Sequence, residues 1–360
     1  MRICFVVSSL DVNDGNGRFA HGLINSLRDL GIDITTVTIK KTKISFFGFK
    51  FFLNSLLVAK AAMAEKADVV HALDAWPRGI VAYLANLLTG IPFGMTIYAT
   101  YGVEPLTRFP HSILLKSAYK KSVLNAAISH ITAKKITDKY PKADIKVINQ
   151  GIKFSDYQSP IKHKRVTENP YILTVAYMKA RKGYETAIPV FARLKKDFPE
   201  LKYVIRAPLS NESYHSKIQK LIEELGIGQD IIWLPRLEEN ELIDVYKHAK
   251  IFFLPSVSSH PLIFEGFGSV YVEAEACGIP VVTSRGGGQE DAMIDGKTGF
   301  LVDEGSIEQG YQAIKKLLEN KNLYSEFSEN AKKFAQSMDW QYKAKEYYDY
   351  YQNELKSPLA

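Results

Sequence analysis

Phe264-Glu265-Gly266-Phe267-Gly268-Ser269-Val270-Tyr271-Val272-Glu273-Ala274-Glu275-Ala276-Cys277-Gly278-Ile279-Pro280 reads as a glycine loop running straight into a helix, with a strand expected from Pro280 to Thr283. Two glycines directly before a helix let backbone N–H groups approach a phosphate at the helix N-terminus. Glu273 falls more than a turn into that helix, where its carboxylate can accept hydrogen bonds from a vicinal diol such as a ribose. Glu265 precedes the helix and is free to meet a sugar hydroxyl. Acids beside a diphosphate suit hydroxyls that flank the phosphates better than they suit phosphate alone. For any one glutamate, a helix-end or solvated position is the commoner outcome. The string as a whole argues for a ligand site.

Around this segment, strands alternate with helices. Tyr171–Ala176, Lys202–Arg206, Ile231–Leu234 and Ile251–Leu254 are apolar runs of strand length, separated by helical patterns at Thr186–Phe198, Tyr214–Leu225 and Glu241–His248. The first half repeats the theme with strands at Ile3–Ser8, Ile32–Ile39, Asp68–Ala72, Gly94–Tyr98, Ala126–Ser129 and Ile145–Ile148. Continuous apolar strands alternating with helices imply doubly wound parallel sheets covered on both faces. The pattern breaks over a polar, lysine-bearing stretch with two prolines, so residues 156–170 are expected to be a linker. The expected division is an acceptor-side domain at 1–155, a nucleotide-binding domain at 171–339 and a C-terminal crossover helix at 340–360. In that helix Tyr347, Tyr350, Tyr351 and Leu355 can share one face, which predicts packing on protein. Two such domains would place a ligand between the carboxyl ends of their sheets.

Composition excludes several classes. A chain of 360 residues with 46% hydrophobic and 24% charged residues has ample core and is not a disordered polymer. No apolar run reaches the roughly 18–20 residues that a membrane-spanning helix needs. The opening Met1–Ser8 reads as a first buried strand rather than a signal peptide. The two cysteines, Cys4 and Cys277, lie far apart in apolar segments, as expected of buried thiols in a reducing cytoplasm. The net charge of +7 is uneven, with about twenty Lys+Arg against about ten Asp+Glu in residues 1–155, so the positive excess lies there. Nucleic acid, anionic lipid or a phosphorylated acceptor could each explain it. No nucleic-acid motif accompanies the charge, and Gly15-Asn16-Gly17 lacks the third glycine of a dinucleotide fingerprint.

Glu265 and Glu273, with seven residues between them, resemble the paired-glutamate signature of retaining GT-B glycosyltransferases, specifically glycosyltransferase family 4. Ser284–Glu290 and Asp295–Val302 resemble that family's Gly-Gly-x-x-Glu and "dGxtGxLv" pieces. Ile148–Ile152 is similar to the segment closing its first domain, and Asp14-Gly15-Asn16-Gly17 to its first glycine loop. The resemblance covers nearly the whole chain in the correct order. It implies a GT-B fold, two Rossmann-like domains facing across a cleft with a C-terminal helix packing back on the first. It also implies a nucleotide-diphosphate sugar donor, UDP- or GDP-linked, and transfer with retention.

By the same resemblance Glu265 contacts the donor sugar, Glu273 the ribose, and backbone amides from Phe267 through Gly268 and Ser269 to Val270 the distal phosphate. Lys182 matches the lysine that neutralises the pyrophosphate, apt because the leaving nucleoside diphosphate gains charge. Leu234–Leu237, including Arg236, would cover the nucleobase. Gly15 and Gly17 would line the donor side of the first domain. Three positions depart from the pattern. Tyr177 stands where the family pairs an arginine with its lysine, leaving Lys179 or Arg181 to supply that charge. Tyr98 stands where a histidine often ends the "TVHG" strand, and a tyrosine is a poor base near neutral pH. Arg206-Ala207-Pro208-Leu209 replaces "GDGP", with Arg206 offsetting lost charge. His71 is expected as a core or cleft-edge residue. No metal and no other cofactor is expected.

The acceptor is expected to be a glycan or a lipid-linked molecule, with an anionic membrane surface met through Lys40–Leu57, where lysines interleave with phenylalanines. A second basic stretch runs through Arg108, Lys116, Lys120, Lys121, Lys134 and Lys135. A core helix with a solvated basic edge is the competing reading. At the level of function, the alternative is a catalytically weak nucleotide-sugar-binding subunit supporting a partner transferase.

Overall fold

The computed structural model describes residues 1–12, 14–40, 49–208, 211–258 and 262–356, and divides into two units. The first comprises Met1–Gly151 and Asp339–Ala360, the second Ile152–Met338.

In the first unit the chain runs β1 (Arg2–Val7), α1 (Gly15–Asp29), β2 (Asp33–Thr38), α2 (Phe49–Ala64), β3 (Val69–Leu73), α3 (Ile80–Thr89), β4 (Phe93–Ile97), α4 (Ala99–Val103), α5 (His111–Lys121), β5 (Leu124–Ala127), α6 (His130–Thr137) and β6 (Lys146–Val147). The strands form one parallel sheet in the order β2-β1-β3-β4-β5-β6. Ile3 to Val7, and β3 and β4 in their entirety, are buried, because helices cover both faces. The order reverses between β1 and β3, so the loops after those strands diverge and leave a crevice at their carboxyl ends.

The second unit runs α7 (Phe154–Tyr157), β7 (Tyr171–Val175), α8 (Tyr184–Asp197), β8 (Lys202–Arg206), α9 (Glu212–Glu224), β9 (Ile231–Leu234), α10 (Glu239–His248), β10 (Ile251–Leu254), α11 (Ser269–Ala276), β11 (Val281–Ser284), β12 (Gly299–Val302), α12 (Ile307–Glu319) and α13 (Lys321–Ser337). Its parallel sheet has the order β12-β11-β10-β7-β8-β9. Here the reversal lies between β7 and β10.

Residues 156–170 do not form a free linker. Asp244 of α10 accepts the backbone N–H groups of Lys162 (2.9 Å) and His163 (2.8 Å), and Gln158 Nε2 donates to the Ala276 carbonyl at 3.0 Å. A polar stretch with two prolines reads as a spacer, but its amides find a buried carboxylate.

The last helix, α14 (Trp340–Lys356), returns to the first unit and packs on α1. Its buried face is Trp340, Ala344, Tyr347 and Tyr351, a spacing of four, three and four that keeps one stripe turned inward. Tyr347 and Tyr351 end on Thr96 and His71, and Trp340 meets Phe19 edge-on at 4.9 Å. His71 is thus a core residue of the first unit, not a crevice-edge one.

Candidate active site

Three segments converge at the switch point of the second sheet. β7 ends in a short turn over Ala180–Lys182, β10 ends at Leu254 and leads through Ser256 to the loop holding Glu265, and α11 follows that loop. Glu265 Oε2 is the common acceptor. Arg181 Nη1 donates to it at 3.0 Å, Lys182 Nζ forms a closer ion pair, and Ser256 Oγ lies at 3.5 Å. The Lys182 and Glu265 side chains are both about nine-tenths buried. Burial by itself would raise the Glu265 pKa; Lys182 and Arg181 outweigh it and hold the carboxyl down at about 2. Burial works the other way on Lys182, lowering its pKa, with Glu265 pulling it back up and Arg181 opposing. The carboxylate is therefore ionised, with cations supplied from a different strand's loop.

The loop carrying this carboxylate is braced from β11. Gly288 N donates to the Glu265 carbonyl at 2.8 Å, and Gly286 N is held by Glu290 Oε1 at 2.6 Å. The Gly286-Gly287-Gly288 turn with Glu290 is thus a scaffold for the Glu265 loop.

Gly268 is the N-cap of α11, with φ +86°, and no side chain caps the helix. Uncapped first-turn amides at the positive end of a helix suit an anion. The Phe267 side chain is buried beneath them, while Ser269 and Val270 are half-buried. One turn on, Glu273 is buried, Ser269 Oγ donates to its Oε1 at 3.0 Å and Tyr246 Oη to its Oε2 at 3.2 Å. Tyr246, in the last turn of α10, carries no local signal in the sequence that distinguishes it from other core aromatics. Glu275 is also fully buried, and its acid is pushed well above the usual range by burial. Neither glutamate is a solvated helix residue.

Among the remaining candidates, Arg206 ends β8 half-buried, and Arg236 is exposed on the loop after β9. Tyr177 is half exposed, with Lys179 Nζ 5.5 Å from its ring centre. Arg181 is the residue that joins Lys182 on the carboxylate.

In the first unit, Gly17 is sterically required, since a Cβ there would lie 2.1 Å from the Asp11 carbonyl oxygen, whereas a side chain at Gly15 would meet open space. Tyr98 follows β4, its ring edge-on to Phe19 at 5.1 Å. Its hydroxyl is enclosed without a hydrogen-bond partner, and burial pushes its pKa well above the ordinary phenol value. It is no base. Ala99, the next residue, has φ +33°, a conformation costly for a residue with a Cβ. Strain of this kind concentrates at functional sites.

Two six-stranded parallel sheets in separate units, with a glycine-bearing loop leading into a helix at the second sheet's switch point, are the architecture of GT-B proteins. The fold matches solved structures accordingly. A glycosyltransferase from Rickettsia africae superimposes with a TM-score of 0.82 at 20% identity, covering 99% of both chains. Anabaena Alr3699/HepE, solved in complex with UDP and glucose, gives a TM-score of 0.74 at 17% identity, covering 97% of this chain and 98% of that one. Residues 157–334 match the family described as glycosyl transferases group 1. The chain therefore has the GT-B fold, and its second unit carries the domain described as glycosyl transferases group 1. Among relatives, the GDP-mannose-dependent alpha-(1-6)-phosphatidylinositol monomannoside mannosyltransferase of Mycolicibacterium smegmatis is 29% identical over 152 residues. That alignment takes in 42% of this chain and 39% of the relative, so the chain spans well under two thirds of that enzyme's length.

Proposed function

We propose that the protein transfers a hexosyl group from a nucleotide-diphosphate sugar to a glycan or lipid-linked acceptor, with retention at the anomeric carbon and without a metal ion. The observation that carries this reading is the Arg181–Lys182–Glu265 cluster beside the uncapped start of α11, with Glu273 one turn further along. A diphosphate brought to the α11 amides would draw Lys182 and Arg181 toward its oxygens. Glu265 would then turn its lone pairs to the sugar hydroxyls, and Glu273, pre-oriented by Tyr246 and Ser269, would accept from the ribose diol. As the bond from the anomeric carbon to the phosphate oxygen breaks, the leaving diphosphate takes the electron pair. Lys182 meets that developing charge. The acceptor hydroxyl forms the new bond on the same face, and its proton passes to the departing phosphate oxygen. Tyr98 takes no part as a base.

The test is thermal stability against a panel of UDP-, GDP- and ADP-sugars, with magnesium and with chelator. A metal-independent shift with one donor supports the reading, and NMR of the product's anomeric proton then reads retention directly. No shift with any donor, or inversion in the product, would overturn it.

A further inference from the structure

The helices α2, α3 and α5 pack side by side in the first unit, α2 on α3 and α3 on α5. Each connects strands that step in the same direction across the sheet, so right-handed crossovers place all three on one face.

The outward side of this layer is apolar. On α2, Phe51, Val58, Ala59 and Ala62 face the core, as a covering helix requires. Yet the opposite side holds Phe52, Leu53, Leu56 and Leu57, and Phe49 at its start is 74% exposed. A helix that is apolar all round belongs inside something. Leu87 and Leu88 extend the same exposure onto α3. At the start of α5, Phe109 is 82% exposed and Ile113 is likewise turned out. Trp76 bridges the two ends of the layer, its ring 5.7 Å from Phe51 and 4.6 Å from His111. Single exposed apolar residues are ordinary, but a run across three adjacent helices marks an interaction surface.

Charge identifies the partner. The three helices carry Lys50, Lys60, Lys116, Lys120 and Lys121 and not one aspartate or glutamate. A second copy of the chain on this face would set lysine against lysine with no acid to answer it. An anionic bilayer meets both features, since phenylalanine and leucine enter the acyl boundary while lysines reach the headgroups. Among the described residues no helix is long and apolar enough to cross a membrane, so contact of this kind is lateral.

We propose that the α2–α3–α5 face of the first unit is a docking surface for an anionic lipid bilayer. The inference rests on no part of the transferase reading. It widens the surface expected at Lys40–Leu57, of which residues 41–48 lie outside the described residues, to include α3 and the start of α5. It also narrows that segment, because Phe51 and Ser55 are core.

The experiment is co-sedimentation of the full chain with vesicles of phosphatidylcholine alone and of equimolar phosphatidylcholine and phosphatidylglycerol. Binding to the second and not the first is expected at low salt, with release at high salt. Phe49→Ser with Leu53→Ser should abolish it. Lys116→Glu and Lys120→Glu should each weaken partition by about tenfold. All four side chains are wholly or partly solvent-exposed, so thermal melts should match the wild type. Ile161→Ser, an exposed apolar position in the second unit, should bind as the wild type does. Absence of wild-type binding to anionic vesicles, equal binding to both compositions, or full binding by the variants would overturn the proposal. A lipid-free dimer in sedimentation that Phe49→Ser with Leu53→Ser dissociates would instead give the face to a second copy. Vesicle binding without any nucleotide-sugar thermal shift would keep the docking surface and overturn only the transferase reading.

Discussion

His71 Nδ1 and the Tyr351 hydroxyl, 280 residues apart in the chain, share a hydrogen bond inside the first unit. The other ring nitrogen bonds Thr96 Oγ1 at 2.9 Å, and that hydroxyl meets Tyr347 Oη at 2.8 Å. Both nitrogens of a fully buried imidazole are thus satisfied by hydroxyls, half of them delivered by α14. Tyr351→Phe should leave His71 short of a partner and cost about 1–3 kcal/mol, seen as a lower urea midpoint. Gly94→Ala should do at least as much damage, because its Cβ would sit 2.1 Å from the Tyr351 oxygen. Unchanged midpoints in both would show that α14 docks without this contact.

Acid should loosen the first unit early. Burial lowers the His71 pKa to about 3, against about 6.5 in an unfolded chain. Below about pH 6.5 the unfolded state takes up a proton that the native state refuses, so stability falls as pH drops through that window. Between pH 7 and 5 this one group accounts for a loss of about 2 kcal/mol. His71→Gln should be less stable at pH 7 yet flatter with pH, measured by denaturant midpoints across the range. A variant as pH-sensitive as the wild type would assign the effect elsewhere.

Lys182 and Glu265 respond asymmetrically to mutation. Lys182→Ala strands a buried carboxylate with Arg181 alone and should destabilise by about 3–5 kcal/mol. Glu265→Gln removes the charge that makes the pair necessary and should be milder. On the proposed function, Glu265→Gln keeps nucleotide affinity within a few-fold while kcat falls by about a hundredfold or more. Calorimetric titration with the nucleoside diphosphate, beside steady-state rates, separates the two effects. Equal loss of binding and turnover would make Glu265 a scaffold residue.

The same acid governs the lower end of the pH range. With its pKa held at about 2, below the ordinary carboxylate value, Glu265 contributes stability above about pH 4.5 that is lost as pH falls toward 2. Glu265→Gln should be less acid-sensitive in that window, read by tryptophan fluorescence during acid titration.

Tyr246→Phe tests the ribose assignment. It removes the donor to Glu273 Oε2 and should raise KM for the donor sugar about fivefold with kcat nearly unchanged. A fall in kcat alone would place Glu273 at the reacting centre instead.

Much of the fold was legible because its strands are continuous apolar runs such as Cys4–Val7 and Phe252–Leu254, which admit few readings other than buried parallel strands. The inward face of α14 was legible in part: Tyr347 and Tyr351 are buried as their helical spacing predicts, whereas Tyr350 and Leu355 are only half-buried and Trp340 and Ala344 complete the stripe. The site was legible only in pieces. Glu265, Glu273 and Lys182 stood out in their own segments, but a separation of 83 positions between Lys182 and Glu265 hid the ion pair that joins them. Tyr246 and Asp244 gave no local signal, because their roles depend on which loop lands beside α10. Residues 156–170 were read as a spacer for the same reason, as Asp244 lies 81 residues beyond His163.

The division of the chain carries a consequence for its biosynthesis. The second unit is one uninterrupted stretch, Ile152–Met338, whereas the first is assembled from residues on both sides of it. During translation the first 151 residues emerge early but lack Trp340, Tyr347 and Tyr351. His71, Thr96 and the α1 surface have to wait, open to water, until those side chains leave the ribosome. The part made first is the part finished last. A chaperone that recognises exposed apolar surface would therefore find its longest-lived target in the first half of the nascent chain.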